Sequence, residues 1–341
     1  MLSFISEWGN SKFGMVGTVI LFVIGFAALI KGGDWFVDGS VGIAKKFRIP
    51  ELLIGATIVS IGTTLPEVMV SATDAVASLK NAGAEAGIAY GNAIGSVICN
   101  TALIAALTVA IKPAKVSRKT LVLPVVSFFI AALFYCGVAY FAREFTRPVG
   151  IILLCMFVIY IVISVFQALR HPDSAEVEEM DGKSLSAGKS LVLLILGAAL
   201  IAVGANFLVD NGKLIAAACG VPEAVIGLTI VALGTSLPEL VTAITSLAKG
   251  HGALSLGNVI GANIFNLVLV SGTAITIAPF KLPASRLISG IPSSLVVDIP
   301  VMMFVMALLT LPALIRGKLS RLQGILLLLV YAGFCVFQFT F

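Results

Sequence analysis

The sequence predicts an all-α membrane protein: ten transmembrane helices in two inverted five-helix repeats, with helices 2 and 7 broken. Three observations carry this. Hydrophobic residues make up 59% of the 341 and charged residues 11%, at a mean hydropathy of +1.10, where a soluble domain carries about 25% charged residues. The apolar residues are gathered into long, nearly uncharged runs that match a hydrocarbon core of ~30 Å, without the period-2 alternation and aromatic girdles of a β-barrel. The second half of the chain also repeats the first. This composition excludes an ordinary soluble enzyme, a nucleic-acid binder and a disordered chain.

Spans are expected at 14–45, 50–79, 86–111, 120–141, 149–169, 189–218, 223–248, 253–278, 293–315 and 321–340. Short polar connectors separate them, such as Arg316-Gly317-Lys318. The first and sixth are too long for a perpendicular crossing at 1.5 Å per residue, so they tilt or carry an amphipathic second half. Glu7 and Lys12 precede a first apolar run that outlasts an h-region, so a cleavable signal peptide is not expected. Cys99, Cys136, Cys155, Cys219 and Cys335 have no zinc-like spacing and read as packing residues.

Lys and Arg set the orientation. One side holds Lys45, Lys46, Arg48, Lys112, Lys115, Arg118, Lys119, Arg170, Lys183, Lys189, Lys249, Arg316, Lys318 and Arg321. The other holds Lys12, Lys80, Arg143, Arg147, Lys281 and Arg286. The richer side is cytoplasmic, which puts both termini outside. The segment 170–188, with Glu176, Glu178 and Glu179, reads as a cytoplasmic linker. It divides the chain into a membrane repeat at 14–169 and a second at 189–341.

Shifting the chain by 172 lays Gly32–Glu67 on Gly204–Glu239 with 17 of 36 positions identical. A shift of 166 lays Gly91-Asn92-Ala93-Ile94-Gly95-Ser96 on Gly257-Asn258-Val259-Ile260-Gly261-Ala262, and Asn100 on Asn266. Apolar composition alone does not repeat Gly-Thr-x-Leu-Pro-Glu. Five spans per copy make the second copy enter from the opposite side, which is the inverted-repeat plan of many secondary transporters.

Gly62-Thr63-Thr64-Leu65-Pro66-Glu67 and Gly234-Thr235-Ser236-Leu237-Pro238-Glu239 each lie mid-span. A carboxylate at bilayer depth costs ~2.5–3.5 kcal/mol on insertion scales, so two at equivalent positions call for a cation. Each Pro lacks an N–H and clashes with the carbonyl four residues earlier. The break is expected to free carbonyls over 60–64 and 232–236 beside the Thr and Ser hydroxyls. Carboxylate, hydroxyl and carbonyl are hard oxygen donors, suited to Ca²⁺ or Na⁺. Ser96 and Asn100 share a helix face four residues apart and point toward the Glu-bearing span. Asn92, Asn258 and Asn263 are read as satisfying freed backbone groups, and Gly91, Gly95, Gly257 and Gly261 as helix-packing positions.

These motifs resemble the cation/Ca²⁺ antiporter superfamily, in its sodium/calcium exchanger family of prokaryotic type, with 55–104 and 227–270 similar to that family's two α-repeats. The resemblance implies a ten-helix exchanger working by alternating access, not an enzyme, with no cofactor and with Ca²⁺ and Na⁺ as transported ions. It implies that Glu67 and Glu239, the metal ligands, hold Ca²⁺ with the carbonyls of Thr63 and Thr235. For Na⁺ it implies Ser60, Thr63, Thr64, Glu67, Ser96 and Asn100 with Ala232, Thr235, Ser236, Glu239 and Asn266. Two positions depart from some members, which carry Asp where this chain has Asn266 and Ser where it has Ala262. Two carboxylates balance Ca²⁺, whereas three Na⁺ overfill the site by one charge unless a site is lost.

The expected function is Na⁺/Ca²⁺ antiport that extrudes Ca²⁺, with Ca²⁺/H⁺ or K⁺-dependent Na⁺/Ca²⁺ exchange as alternatives and a channel as the rival within transport. The first and sixth spans, with Gly32-Gly33 and Gly197 and no central acid, are expected to slide over a rigid core as the gate. Asp34, Asp38, Asp210 and Asp298 read as helix-pairing residues, Lys31 and Lys213 as snorkelling cations, and His171 and His251 as loop residues. An intramembrane hydrolase has no support, since no Gly-x-Ser-x-Gly occurs. The expected setting is the plasma (inner) membrane, as a multi-pass monomer contacting lipid and no nucleic acid.

Overall fold

The computed structural model describes residues 3–80, 87–113, 115–170, 185–220, 232–283 and 287–340. Backbone in hydrocarbon has no water to bond, so apolar runs close their hydrogen bonds internally as helices. The chain forms α1 (Gly14–Phe47), α2 (Glu51–Leu79), α3 (Tyr90–Ile111), α4 (Arg118–Ala142), α5 (Arg147–Leu169), α6 (Ala187–Ala218), α7 (Leu237–Ala248), α8 (Gly252–Ile277), α9 (Ser294–Arg316) and α10 (Arg321–Gln338). Among the described residues, all but α7 are long and apolar enough to cross a membrane. The expected span 223–248 falls partly on 221–231, outside the described residues, as does most of the linker at 171–184. Before α1 the backbone turns at Gly14, with φ 57°, which separates the span from the helix preceding it.

The two motif-bearing helices are interrupted in different ways. In α2 the helix widens to a π-helix over Gly55–Val59 and then continues as α-helix from Ser60 through Pro66. The interruption therefore lies two to three turns before the proline, and the gap expected over 60–64 is absent. In the second copy a separate turn, Ala232–Thr235, meets α7 at Ser236 (φ −91°, ψ 4°), with Pro238 in the first turn. Two further π-segments, Asn100–Ala105 in α3 and Asn266–Val270 in α8, start at repeat-related asparagines.

Burial separates a centre from a rim. The apolar window of α8 is 89% buried and that of α3 72%, against 17% for α10 and 22% for α1 and α5. The motif helices α2 and α7 pack on α3 and α8, and α4, α5, α9 and α10 surround them. One apolar core joins α3, α4, α8 and α9, with Phe128, Tyr135, Phe265 and Met302 fully enclosed. A second, separate cluster joins α1 and α6 to the start of α2 through Leu29, Phe36, Val37, Ile54 and Ile201. The second cluster also takes in Val59 and Leu254, so α1 and α6, packed along each other, lie against the core through shared apolar contacts.

The α1–α6 unit is antiparallel and held by small residues. A Cβ on Gly25 would lie 2.9 Å from the Gly204 carbonyl, and one on Gly32 would lie 2.9 Å from the Gly197 carbonyl. The shift of 172 carries Gly25 to 197 and Gly32 to 204, so the repeat exchanges the two contacts. Contacts exchanged in this way place a pseudo-twofold axis between the two helices. Short strands, not anticipated from the sequence, pin two connectors. β1 (Glu144–Phe145) pairs antiparallel with β2 (Phe280–Lys281), while β3 (Leu287–Ile288) and β4 (Ile291–Pro292) form a hairpin. Phe145 stacks between Tyr135 and Phe280, ring centroids 4.7 and 5.2 Å apart, closing that end of the core.

Candidate ion-binding site

Glu67 on α2 and Glu239 on α7 are both 0% exposed, and the two helices that carry them pack against each other. None of their four carboxylate oxygens accepts a well-formed hydrogen bond among the described residues. A buried polar atom left unpaired costs ~1–3 kcal/mol, and a charged one more. Two such carboxylates call for a bound cation or a proton to offset their charge.

The asparagines complete the geometry. The π-segment starting at Asn100 packs against α7, and the one starting at Asn266 packs against α2, so each faces the Glu helix of the other repeat. Both asparagines are 0% exposed, and their amide oxygens and nitrogens have no partner among the described residues. Thr64 is equally buried, with an unpartnered hydroxyl. Thr63, Ser96 and Ser236 are buried, and Thr235 is half-buried. Ala232 lies in the turn before Ser236, and its side chain is outside the described residues. Every donor is oxygen, as a Ca²⁺ or Na⁺ site requires.

Ser60 and Thr63 have a second task. The Ser60 hydroxyl lies 2.7 Å from the Gly55 carbonyl and 2.9 Å from the Asn258 carbonyl, which share its one proton, and Thr63 donates to Asn258 Oδ1 at 3.2 Å. These bonds tie α2 to α8 across the repeats. Asn92 takes the backbone role read from its sequence: it donates to the Glu67 carbonyl at 3.3 Å and to Ser71 at 2.9 Å. Asn263 instead bonds Thr101 at 2.7 Å, which in turn donates to the Val97 carbonyl. Gly257 does pack helices, since any side chain there would meet the backbone of Leu52, and Gly91 and Gly95 stand in open space.

Some residues were missed in the sequence. Ser71 follows Glu67 by four, and Thr242 and Ser246 follow Glu239 by three and seven. All three are 0% exposed and carry a polar stripe away from each carboxylate; helical spacing from the glutamates would have found them. Tyr160 also donates to the Ala56 carbonyl of the π-turn at 2.9 Å. His251 is corrected. It is 6% exposed, and its Nδ1 lies 2.8 Å from Glu51 Oε1, so it clamps the start of α8 to the start of α2. Asp34 and Asp38 do pair helices: both hold Lys249 at the end of α7, at 3.2 and 2.8 Å. Asp298 accepts from Gln338 at 2.9 Å, and Lys31 sits over the Trp35 ring.

An inverted-repeat helical fold around paired carboxylates defines a membrane cation exchanger. The family model for sodium/calcium exchanger protein matches residues 17–166 and 189–340, and the chain belongs to that family. It is 38% identical over 313 residues to an uncharacterised membrane protein of Methanocaldococcus jannaschii, covering 91% of this chain and 94% of that one. It is 30% identical to the sodium/calcium exchanger MaX1 of Methanosarcina acetivorans, over 94% of this chain and 98% of that one. The fold matches the solved sodium-calcium exchanger NCX_Mj soaked with 10 mM Na⁺ and zero Ca²⁺ at a TM-score of 0.76 and 35% identity, over 93% of this chain and 97% of that one. A second NCX_Mj structure, soaked with 2.5 mM Na⁺ and 10 mM Sr²⁺, matches at 0.75.

Proposed function

We propose that this chain exchanges Na⁺ for Ca²⁺ by alternating access and normally extrudes Ca²⁺. The observation that carries this is the pair Glu67 and Glu239: fully buried, unpartnered, and equivalent under an inverted repeat. Ca²⁺ binds between the two carboxylates with the carbonyls of Thr63 and Thr235. Na⁺ takes overlapping places among Ser60, Thr63, Thr64, Glu67, Ser96, Asn100, Ala232, Thr235, Ser236, Glu239 and Asn266. Competition for shared oxygens couples the two flows without covalent chemistry. Sequence similarity to exchangers and likeness to NCX_Mj support the reading.

The α1–α6 unit is the moving part, since its two helices pack chiefly along each other and meet the core through α2, α7 and α8. On the side of the α7 C-terminus it is closed down: Gly33 lies against Val241 and Thr245, and Lys249 binds Asp34 and Asp38. With the Lys-rich loops cytoplasmic and both termini outside, this is a state closed toward the cytoplasm. The halves 14–169 and 189–341 then act as the two repeats of one monomer in the plasma membrane, joined by the cytoplasmic linker 170–188.

The test is ⁴⁵Ca²⁺ uptake into proteoliposomes under imposed Na⁺, K⁺ or H⁺ gradients. Uptake driven by outward Na⁺ at constant pH and K⁺ is the expected result. Uptake driven only by H⁺, or only when K⁺ accompanies Na⁺, would replace this reading with proton or potassium-dependent exchange.

A further inference from the structure

The second half of α2 carries an acid that neither the central ligand set nor the helix pairs use. Glu67, Ser71, Asp74 and Ser78 follow one another along an unbroken α-helix at spacings that keep them on one side of it. Ser71 is buried, and Asn92 of α3 fixes it from the side at 2.9 Å. Ser78 donates to the Asp74 carbonyl at 3.0 Å, which leaves the Asp74 carboxylate uncommitted. That carboxylate is half-buried. Its Oδ2 is shielded from solvent and has no hydrogen-bond partner among the described residues, and the ion pairs among those residues use other acids.

The other repeat has no such acid. Both helices run unbroken beyond their Pro-Glu pairs, so the shift of 172 carries Asp74 to Ser246, which is buried and neutral. The flanks differ as well. Met69 and Thr73 are exposed, whereas their mates Val241 and Thr245 lie against Gly33 of α1. With both termini outside, α2 runs outward. The acid therefore stands on the outer route, beside the flank left uncovered when the cytoplasmic end is closed.

We propose, resting on the exchange reading and orientation above, that Asp74 is an outer recruitment site, which captures hydrated Ca²⁺ or Na⁺ and passes it along Ser71 to Glu67. Ca²⁺ takes ~6–8 oxygens. One carboxylate and neighbouring hydroxyls replace few of them, so the ion keeps most of its water and moves on quickly. A fixed charge beside low-dielectric walls raises the local cation concentration and the arrival rate roughly tenfold or more. The work is proportional to the charge of the ion, so a gain of about tenfold for Ca²⁺ corresponds to about threefold for Na⁺.

The experiment uses the full-length protein in right-side-out and inside-out membrane vesicles of an expressing bacterium. In right-side-out vesicles loaded with Na⁺, Asp74→Asn is expected to raise the KM for external Ca²⁺ about tenfold and to leave the maximal ⁴⁵Ca²⁺ uptake rate unchanged. In right-side-out vesicles loaded with ⁴⁵Ca²⁺, the external Na⁺ needed for half-maximal efflux is expected to rise only about threefold. In inside-out vesicles the KM for Ca²⁺ is expected to stay at the wild-type value. Asp74→Ser, which places at 74 the residue that the other repeat carries at 246, is the second variant should the first fail to insert. An unchanged outer KM overturns the recruitment site and leaves the exchange reading in place. So does an equal rise on both sides, or one seen only in inside-out vesicles. No Na⁺-driven uptake by the wild-type protein overturns both.

Discussion

Glu67 and Glu239 stand out in the sequence for the same reason that they matter in the structure: an isolated acid in an apolar run has no cheap alternative to a cation. Glu67→Gln keeps the shape and removes one charge. Loss of one partner from a buried charged assembly costs about 3–5 kcal/mol, so Na⁺-driven ⁴⁵Ca²⁺ uptake is expected to fall more than a hundredfold, and likewise for Glu239→Gln. Wild-type uptake in either variant would remove these residues from the site. Asn100 and Asn266 were legible too, because amides at bilayer depth repeat at a fixed shift. His251 was not. Its partner Glu51 is 200 residues away, and nothing local distinguishes a clamp from a loop residue. Ser60 was legible as polar, but not as the residue that bonds α8, because that bond depends on which carbonyl the packing brings near.

At the scale of elements, hydropathy placed the ends of the fully described spans within a few residues, since a membrane leaves little choice of length. The π-turns at Gly55–Val59, Asn100–Ala105 and Asn266–Val270 left no such trace: one extra residue in a turn barely alters the apolar periodicity. The α1–α6 seam is the element most sensitive to a single methyl. Gly32→Ala places a Cβ 2.8 Å from the Ile201 nitrogen, and overpacking of this kind costs about 1–3 kcal/mol. A lowered unfolding temperature in detergent is expected, and an unchanged one would show that the seam is loose. Lys249 acts differently. Its pairs with Asp34 and Asp38 are partly exposed, at 27% for Lys249, and such pairs contribute ~0–1 kcal/mol. Lys249→Ala is therefore expected to leave folding intact and shift the population of the two gate positions by up to about fivefold. Labelling of a cysteine placed at Thr245, behind the closed end, reads that shift directly, and an unchanged labelling rate would remove Lys249 from the gate.

At the scale of the molecule, the two halves are interlocked rather than side by side. α2 bonds α8 through Ser60 and Thr63, β1 pairs with β2, and α1 lies along α6. Backbone continuity through the linker adds little to such a structure. A protease site inserted within 171–184 and cut after reconstitution is expected to leave Na⁺-driven uptake within about twofold of the uncut protein, and its abolition would show that the linker couples the halves.

The glycine seam has one more consequence. Gly25 meets Gly204 and Gly32 meets Gly197, and the repeat turns each contact into the other. A surface that matches a rotated copy of itself is the isologous kind that joins identical subunits. The interface inside this single chain is thus one that two copies of a half-length ancestor, inserted in opposite directions, would already have shared. Fusion made their number and orientation permanent and then allowed the halves to diverge: Asp34 and Asp38 hold Lys249 at one end of the gate, while Asn206, the mate of Asp34 under the shift of 172, donates back to the Ala202 carbonyl of its own helix. A device that began with two interchangeable ends acquired a preferred one.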